Sequence, residues 1–230
     1  MKTSVHIPEE IVTLFKRNNI IKTAEKGSFL FREGMPASKL YVVKEGRLRI
    51  CKVVADGREL SLKMCKPGDI LGELGLFQPD QLYSHDAKVI EDTEIYILSK
   101  VQLENKLIEH PDLMVQWLKW VELENKKYQS KVRDLMINGK KGALYSTIVR
   151  LCNSFGVKTE EGILIDLSLT NQEIANFCGT SREMVNRLLN ELKNNEIITF
   201  DKGYFTIKDL NYIKGALCCE NCPIEICQID

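Results

Sequence analysis

Two helix-start signatures lying ten residues apart constrain this chain more than any other feature. Thr170-Asn171-Gln172-Glu173 and Thr180-Ser181-Arg182-Glu183 each set a hydroxyl three residues ahead of a glutamate. In such a capping box the two side chains satisfy the orphan backbone amides of a helix start. Two helices must begin within ten residues of each other, so the first is short and the chain turns sharply between them. Gly179 falls in that turn, where a side chain would crowd the crossing backbones. Ile174, Ala175, Gly179, Val185 and Leu188 then take the core positions of a helix-turn-helix in order.

On the second helix Val185, Leu188, Leu189 and Leu192 recur at i, i+3, i+4 and i+7 and face inward. Arg182, Glu183, Asn186 and Arg187 are left on the opposite face. Arginine matches the O6 and N7 of guanine and a carboxylate accepts from cytosine N4, so this face has the chemistry to read G·C pairs in a major groove. Ile197 to Phe200 and Tyr204 to Ile207 flank Asp201-Lys202-Gly203 and look like a two-stranded wing. Lysine plus arginine balances aspartate plus glutamate at 32 each, so a nucleic-acid surface must be local.

The first half is organised differently. After a short helix over Pro8–Asn18 come β-rich runs at Ser28–Phe31, Leu40–Val43, Leu48–Val54, Glu59–Met64, Ala87–Val89 and Glu94–Leu98. Asp56-Gly57 between two of them is a hairpin signal, because both residues tolerate positive φ. Short strands at this spacing without intervening helices predict a barrel or jelly roll. From Asp112 to Asn138 the period becomes helical, with Leu113, Trp117, Trp120, Val121, Leu123, Tyr128, Val132 and Leu135 mostly three or four apart. A helix of over seven turns between two domains is expected to bury that stripe against its own copy in a second chain.

Eight cysteines without an apolar leader stretch suggest thiols kept reduced in a cytosol. No apolar run approaches the eighteen residues of a membrane helix. Cys51, Cys65, Cys152 and Cys178 lie in apolar or helical stretches and read as buried small hydrophobes. Cys219, Cys222 and Cys227, in the run Cys-Glu-Asn-Cys-Pro-Ile-Glu-Ile-Cys, read as metal ligands. A two-residue gap lets one tight turn aim two thiolates at one centre, and proline after the second is a habit of iron–sulfur loops. Zinc is the alternative, although its structural sites usually join two such knuckles and this tail has one. Unligated or redox-active thiols remain a third reading. Cys218 could add a fourth thiol, but adjacent side chains diverge.

Gly72-Glu73-Leu74-Gly75-Leu76-Phe77 followed by Ser84 resembles the phosphate-binding cassette of the Crp/Fnr regulator family, which reads Gly-Glu-Leu-Gly and ends in Arg-Ser. Tyr83 stands in the arginine's place, and a neutral phenol cannot pair with a buried cyclic phosphate. A cyclic nucleotide is therefore not the expected ligand, and the glycines read as a tight connection. Ser181-Arg182-Glu183-Met184-Val185-Asn186-Arg187 is similar to the family's Ser-Arg-Glu-x-Val-x-Arg. That likeness implies base reading of a TGTGA half-site by Arg182, Glu183 and Arg187, with phosphate contacts from Gln172 and Ser181. It also implies a homodimer on double-stranded DNA, with RNA polymerase as a further partner.

The C-terminal Cys-x-x-Cys-Pro-x-x-x-Cys, the recognition helix and the segment starting at Ile137 together resemble the Bacillus-type Fnr subgroup. What this resemblance implies is a [4Fe-4S] cluster held by Cys219, Cys222, Cys227 and one aspartate, Asp134, in the Lys-x-Arg-Asp-Leu segment. From sequence alone Asp134 reads rather as a surface ion pair with Lys131 or Arg133, and only the resemblance makes it a ligand. The implied protein is a cytoplasmic, oxygen-sensing regulator, and an activator, of anaerobic respiration and fermentation genes, and not an enzyme. Without oxygen the cluster would tie the tail to the dimer helix and align the two reading heads; oxygen would free the tail. A small molecule in the β-roll with structural zinc in the tail is the alternative regulator.

The expected fold class is α+β: a cyclic-nucleotide-binding-like β jelly roll (1–110), a long dimerisation helix (111–138), a winged helix-turn-helix domain (139–215) and a cysteine-rich tail (216–230).

Overall fold

The computed structural model describes residues 7–18, 20–201, 203–217, 219 and 222–230. Cys218 and Lys202, named above for the tail and the wing turn, lie outside them. The chain divides into two compact units. One holds the residues through Gly57 with Leu62–Glu124 and Asp230, the other Arg58–Ser61 with Asn125–Ile229.

The first unit opens with α1 (Glu9–Asn18). Eight short strands follow: β1 (Ile21–Ala24), β2 (Phe29–Phe31), β3 (Lys39–Glu45), β4 (Leu48–Val53), β5 (Glu59–Cys65), β6 (Ile70–Gly72), β7 (Asp86–Val89) and β8 (Thr93–Ser99). They form two four-stranded sheets, ordered β1-β8-β3-β6 and β2-β7-β4-β5. Side chains alternate across a strand, and both faces of β3 are used. Tyr41 and Val43 join Phe31, Leu48, Ala87 and Ile95 in the core of the roll. Leu40 and Val42 point the other way, onto Ile11 and Phe15 of α1. That double burial explains why β3 reads as a continuous apolar run.

α2 (Lys100–Glu109) starts at a capping box of Ser99 and Gln102, and α3 (Pro111–Ile137) runs 27 residues. Here one expectation is corrected. Leu113, Trp117 and Trp120 are not left for a second chain: they are at most 4% exposed and pack with Leu103, Leu107 and Leu98 of the same chain. The face of α3 that stays exposed carries Val115, Leu118 and Met136 together with Val132, a member of the expected stripe. Helical period says how wide an apolar stripe is, but not which partner covers it.

The second unit is built around α4 (Gly139–Phe155), in which every residue from Gly142 to Cys152 is buried. β9 (Gly156–Thr159), β10 (Gly162–Ile165), α5 (Asn171–Cys178), α6 (Arg182–Asn194), β11 (Ile198–Asp201), β12 (Tyr204–Ile207) and α7 (Leu210–Ala216) follow. The wing is wider than the two strands expected. β12 pairs with β11 and also with β10, giving a four-stranded sheet β11-β12-β10-β9. Cys51, Cys65, Cys152 and Cys178 are all buried, and burial pushes the Cys178 thiol up to about 11 and that of Cys152 up to about 12. Burial raises the Cys65 thiol as well, and all four cysteines are packing residues.

Candidate functional site

Three places in the fold carry polar groups with no purely architectural duty. In the β-roll, Gly72 adopts φ +125°, and a Cβ there would meet the Leu40 side chain at 2.9 Å, so glycine is required by backbone and space alike. Tyr83 is 4% exposed and stacks on Phe31 with ring centroids 4.0 Å apart. Its hydroxyl donates to the Lys39 carbonyl at 2.9 Å, and burial raises its pKa, so it is a neutral phenol. Glu73 accepts from the Ser84 hydroxyl at 2.8 Å and from its backbone amide at 3.2 Å. The cassette side chains are thus bonded to one another and to backbone.

In the helix-turn-helix, Thr170 and Glu173 form the expected capping box at the start of α5. The second start is shifted by one residue: the N-cap of α6 is Ser181, which accepts from Met184 N at 3.3 Å. Two adjacent hydroxyls made the sequence ambiguous, and the later one has the cap geometry. Gly179 caps α5 at φ +59°, while a Cβ there would meet nothing closer than 3.7 Å. Glycine is favoured by handedness there, not by the crowding expected. Val185, Leu188, Leu189 and Leu192 are buried, and Arg182, Glu183, Asn186 and Arg187 are exposed on the other face. Ser181 and Gln172 are exposed too. Hydrogen bonds to its own helix start, and the Ser181 hydroxyl, hold the Glu183 carboxyl below its usual value, leaving it an ionised acceptor.

The third place is a cavity of about 350 Å³ in the second unit, lined by Asp134, Arg133, Arg150, Cys219, Cys222 and Cys227 among others. The structure therefore brings the aspartate at the end of α3 and the three tail thiols to one wall-to-wall space. Asp134 is 8% exposed, so of the surface ion pair that sequence alone favoured the pairing with Arg133 is present while the carboxylate itself is buried. Its Oδ2 accepts from Ser146 Oγ at 2.5 Å and Arg150 Nη2 at 2.7 Å, and its Oδ1 accepts from Arg133 Nη2 at 3.0 Å. Burial pushes this carboxyl up, and the three donors outweigh that and hold it below the ordinary value. Burial raises the Cys227 thiol, against the opposing Arg150 charge. Among the described residues no three His, Cys, Asp or Glu side chains stand close enough to hold a metal as placed. The donor set nonetheless fits one: three thiols and a carboxylate face a common cavity, and thiolate is the ligand class iron–sulfur centres require.

Arg150 went unread in the sequence. It is 2% exposed in the middle of α4, and a lone arginine inside the otherwise apolar or small run Ala143–Cys152 was the available signal, since buried arginines are almost always paired.

A β-roll, a long helix and a winged helix-turn-helix in that order are the architecture of a DNA-binding regulator. Comparison with known proteins agrees. Residues 21–110 match the cyclic nucleotide-binding domain model and residues 143–215 the Crp-like helix-turn-helix domain model. The anaerobic regulatory protein of Bacillus subtilis is 43% identical over 225 residues, covering 97% of this chain and 94% of that one. The CRP-like cAMP-activated global transcriptional regulator of Mycobacterium tuberculosis is 27% identical over 80% of this chain and 82% of its own. FixK2 from Bradyrhizobium japonicum shares the fold with a TM-score of 0.75 at 18% identity, over 86% of this chain and 96% of that one. The chain belongs to the Crp/Fnr family of transcriptional regulators, and its near-full-length match fits the Bacillus Fnr type. It is a DNA-binding transcriptional regulator and not an enzyme. No helix among the described residues is long and apolar enough to cross a membrane.

Proposed function

We propose that this regulator responds to oxygen through a [4Fe-4S] cluster held by Cys219, Cys222, Cys227 and Asp134, and that as a homodimer it activates genes of anaerobic respiration and fermentation. The observation that carries this reading is the shared cavity: Asp134, far from the tail in sequence, lines the same space as all three tail cysteines. When bound, such a cluster supplies an oxygen-labile centre whose oxygen-ligated corner is its weakest. The protein's part is to hold the ligands. Asp134, its Oδ2 held by Ser146 and Arg150, would offer Oδ1 to the cluster in place of Arg133. Cys219, Cys222 and Cys227 would supply the thiolates, which would tie the tail to the end of α3.

On the DNA side, Arg182, Glu183 and Arg187 read base edges of TGTGA-like half-sites, and Gln172 and Ser181 contact phosphate at the starts of α5 and α6. The exposed seam of α3 pairs two chains so that two half-sites about one helical turn apart are bound together. RNA polymerase is the partner an activator bound there would recruit.

The deciding measurement is iron, zinc and acid-labile sulfide per chain on protein purified without oxygen. Iron and sulfide near equality, at about four of each, is the expected result. Stoichiometric zinc without sulfide would overturn the cluster and make the tail a structural clip, moving the signal to a small molecule in the β-roll.

A further inference from the structure

The guanidinium of Arg150 has five N–H groups, and each has its own contact. Nε donates to Ser146 Oγ at 3.3 Å. Nη2 donates to Ser130 Oγ at 2.8 Å and to Asp134 Oδ2 at 2.7 Å. Nη1 donates to the Ile226 carbonyl at 3.1 Å and the Gln228 carbonyl at 3.3 Å. These partners come from three pieces of chain: α3, α4 and the last residues of the tail. The two carbonyls flank Cys227, so one planar fork holds the candidate carboxylate ligand with one edge and the peptide on either side of a candidate thiolate ligand with another. The fork geometry is particular to arginine, because lysine offers three donors from a single point.

Two more side chains of α4 extend the grip. Asn153 Nδ2 donates to the Cys227 carbonyl at 2.7 Å, and Ser154 Oγ accepts from the Ile229 amide at 3.0 Å. Ile229 itself is 3% exposed. Residues 226–229 are therefore attached to one face of α4 by four hydrogen bonds and a buried side chain, and none of these attachments uses a thiol or a metal.

We propose that Arg150 is the positioning residue of the metal-ligand set, and that residues 226–229 form an anchor that stays docked on α4 whether or not metal is present. Asp134 and Cys227 are then preset on the cavity wall by protein contacts. Metal would add its bonds at Cys219 and Cys222, outside the anchor. Loss of metal would then release those two thiolates and not the whole tail, a narrower switch than the full release that the sequence suggested. The anchor stands independently of which metal is bound; the statement about Cys219 and Cys222 rests on the cluster reading above.

The test reads amide hydrogen exchange at Ile229 in the full-length chain, prepared anaerobically and, separately, stripped of metal under reductant. In the metal-free wild type Ile229 is expected to exchange at least about tenfold more slowly than in a free peptide of residues 222–230. Cys222→Ser keeps that protection, and Arg150→Lys loses most of it. A metal-free wild type whose Ile229 exchanges at the peptide rate overturns the proposal. Since replacing a buried arginine can unfold the unit, Asn153→Ala is the second variant. It should accelerate exchange by about threefold or more with unchanged circular dichroism, and unchanged exchange there would count against the anchor. Anaerobic uptake of iron and sulfide is the parallel readout, expected to be slowed by about tenfold or more in Arg150→Lys with helix content retained; wild-type uptake by that variant would remove Arg150 from its positioning role. The two readings fail separately. A protected Ile229 in a chain that takes up no iron sinks the cluster and supports the anchor, while iron uptake with Ile229 unprotected in the metal-free chain does the reverse.

Discussion

The Arg133 guanidinium donates to Cys222 Sγ at 3.8 Å while its Nη2 also holds Asp134 Oδ1 at 3.0 Å. A cation thus already stands between two of the four proposed ligands, where the positive charge of a metal would fall. The Arg133 side chain is 35% exposed, so its pair with Asp134 is solvent-screened and contributes at most about 1 kcal/mol. Arg133→Gln should leave the folded chain intact, because Asp134 keeps Ser146 and Arg150. It should also speed anaerobic iron uptake by a factor of about 3, the equivalent of removing such a screened pair as competitor. Slower uptake in Arg133→Gln would mean that the arginine gathers the ligands rather than competing with the metal.

Arg182 and Arg187 predict distinct losses from Ser181. An arginine bidentate to guanine is worth about 1–3 kcal/mol against the wrong base. Arg182→Ala should therefore weaken binding to the intact half-site by that amount and flatten the preference at one G·C position. Ser181→Ala removes the α6 cap, costing about 1 kcal/mol of stability, and weakens binding evenly across sequences. Anisotropy titrations with half-sites varied one base pair at a time separate these patterns. A uniform loss in Arg182→Ala would assign Arg182 to phosphate.

How much of this was legible follows from the range over which each signal acts. The helix-turn-helix was readable because Thr170, Glu173 and the Val185–Leu192 repeat encode local geometry, and the one slip there was between the neighbouring hydroxyls of Thr180 and Ser181. Trp117 and Trp120 were placed on a helix correctly and given the wrong neighbour, since periodicity is silent about what covers a stripe. The burial of Arg150 was readable from its apolar run, but its five acceptors, scattered from Ser130 to Gln228, were not. The meeting of Asp134 with the tail was anticipated by resemblance alone; nothing in the spacing of the residues encodes it.

Lys131 gives the folded state a pH dependence of its own. It is buried with its ammonium 5.0 Å from the Phe177 ring centre. Burial, with the Arg150 charge added and Cys178 opposing, lowers its pKa to about 7. The unfolded chain, with lysine near its ordinary value, then binds more protons than the folded one above pH 7, so stability rises with pH in that range. Above about pH 8.5 the raised thiols of Cys152 and Cys178 act in the opposite sense, because the unfolded chain then loses protons that the folded one keeps. The urea midpoint of the metal-free chain should climb from pH 7 to 8.5, and Lys131→Met should abolish most of the climb. An equal slope in the variant would assign the dependence to another group.

The exposed face of α3 has a seam. Val115, Leu118, Glu122, Asn125, Gln129, Val132 and Met136 are all exposed, and their spacings alternate three and four, the a/d rhythm of a two-stranded coiled coil. The seam is apolar at both ends and polar in the middle. Leu118 and Val132, two heptads apart and 60% and 58% exposed, leave large apolar surface to water in a single chain. Burying both in each of two chains removes enough of it to contribute several kcal/mol, at about 1.5–3 kcal/mol for each side chain. Leu118→Glu with Val132→Glu should give a monomer by sedimentation with the β-roll core undisturbed, whereas Trp120→Ala should loosen that core. Asn125 lies at the centre of the seam, where a polar residue fixes register at a cost in stability. Asn125→Leu should therefore tighten the dimer yet weaken binding to paired half-sites of fixed spacing, because chains slipped by a heptad no longer present their α6 helices one turn apart. A variant both tighter as a dimer and undiminished on paired sites would show that register is set elsewhere on α3.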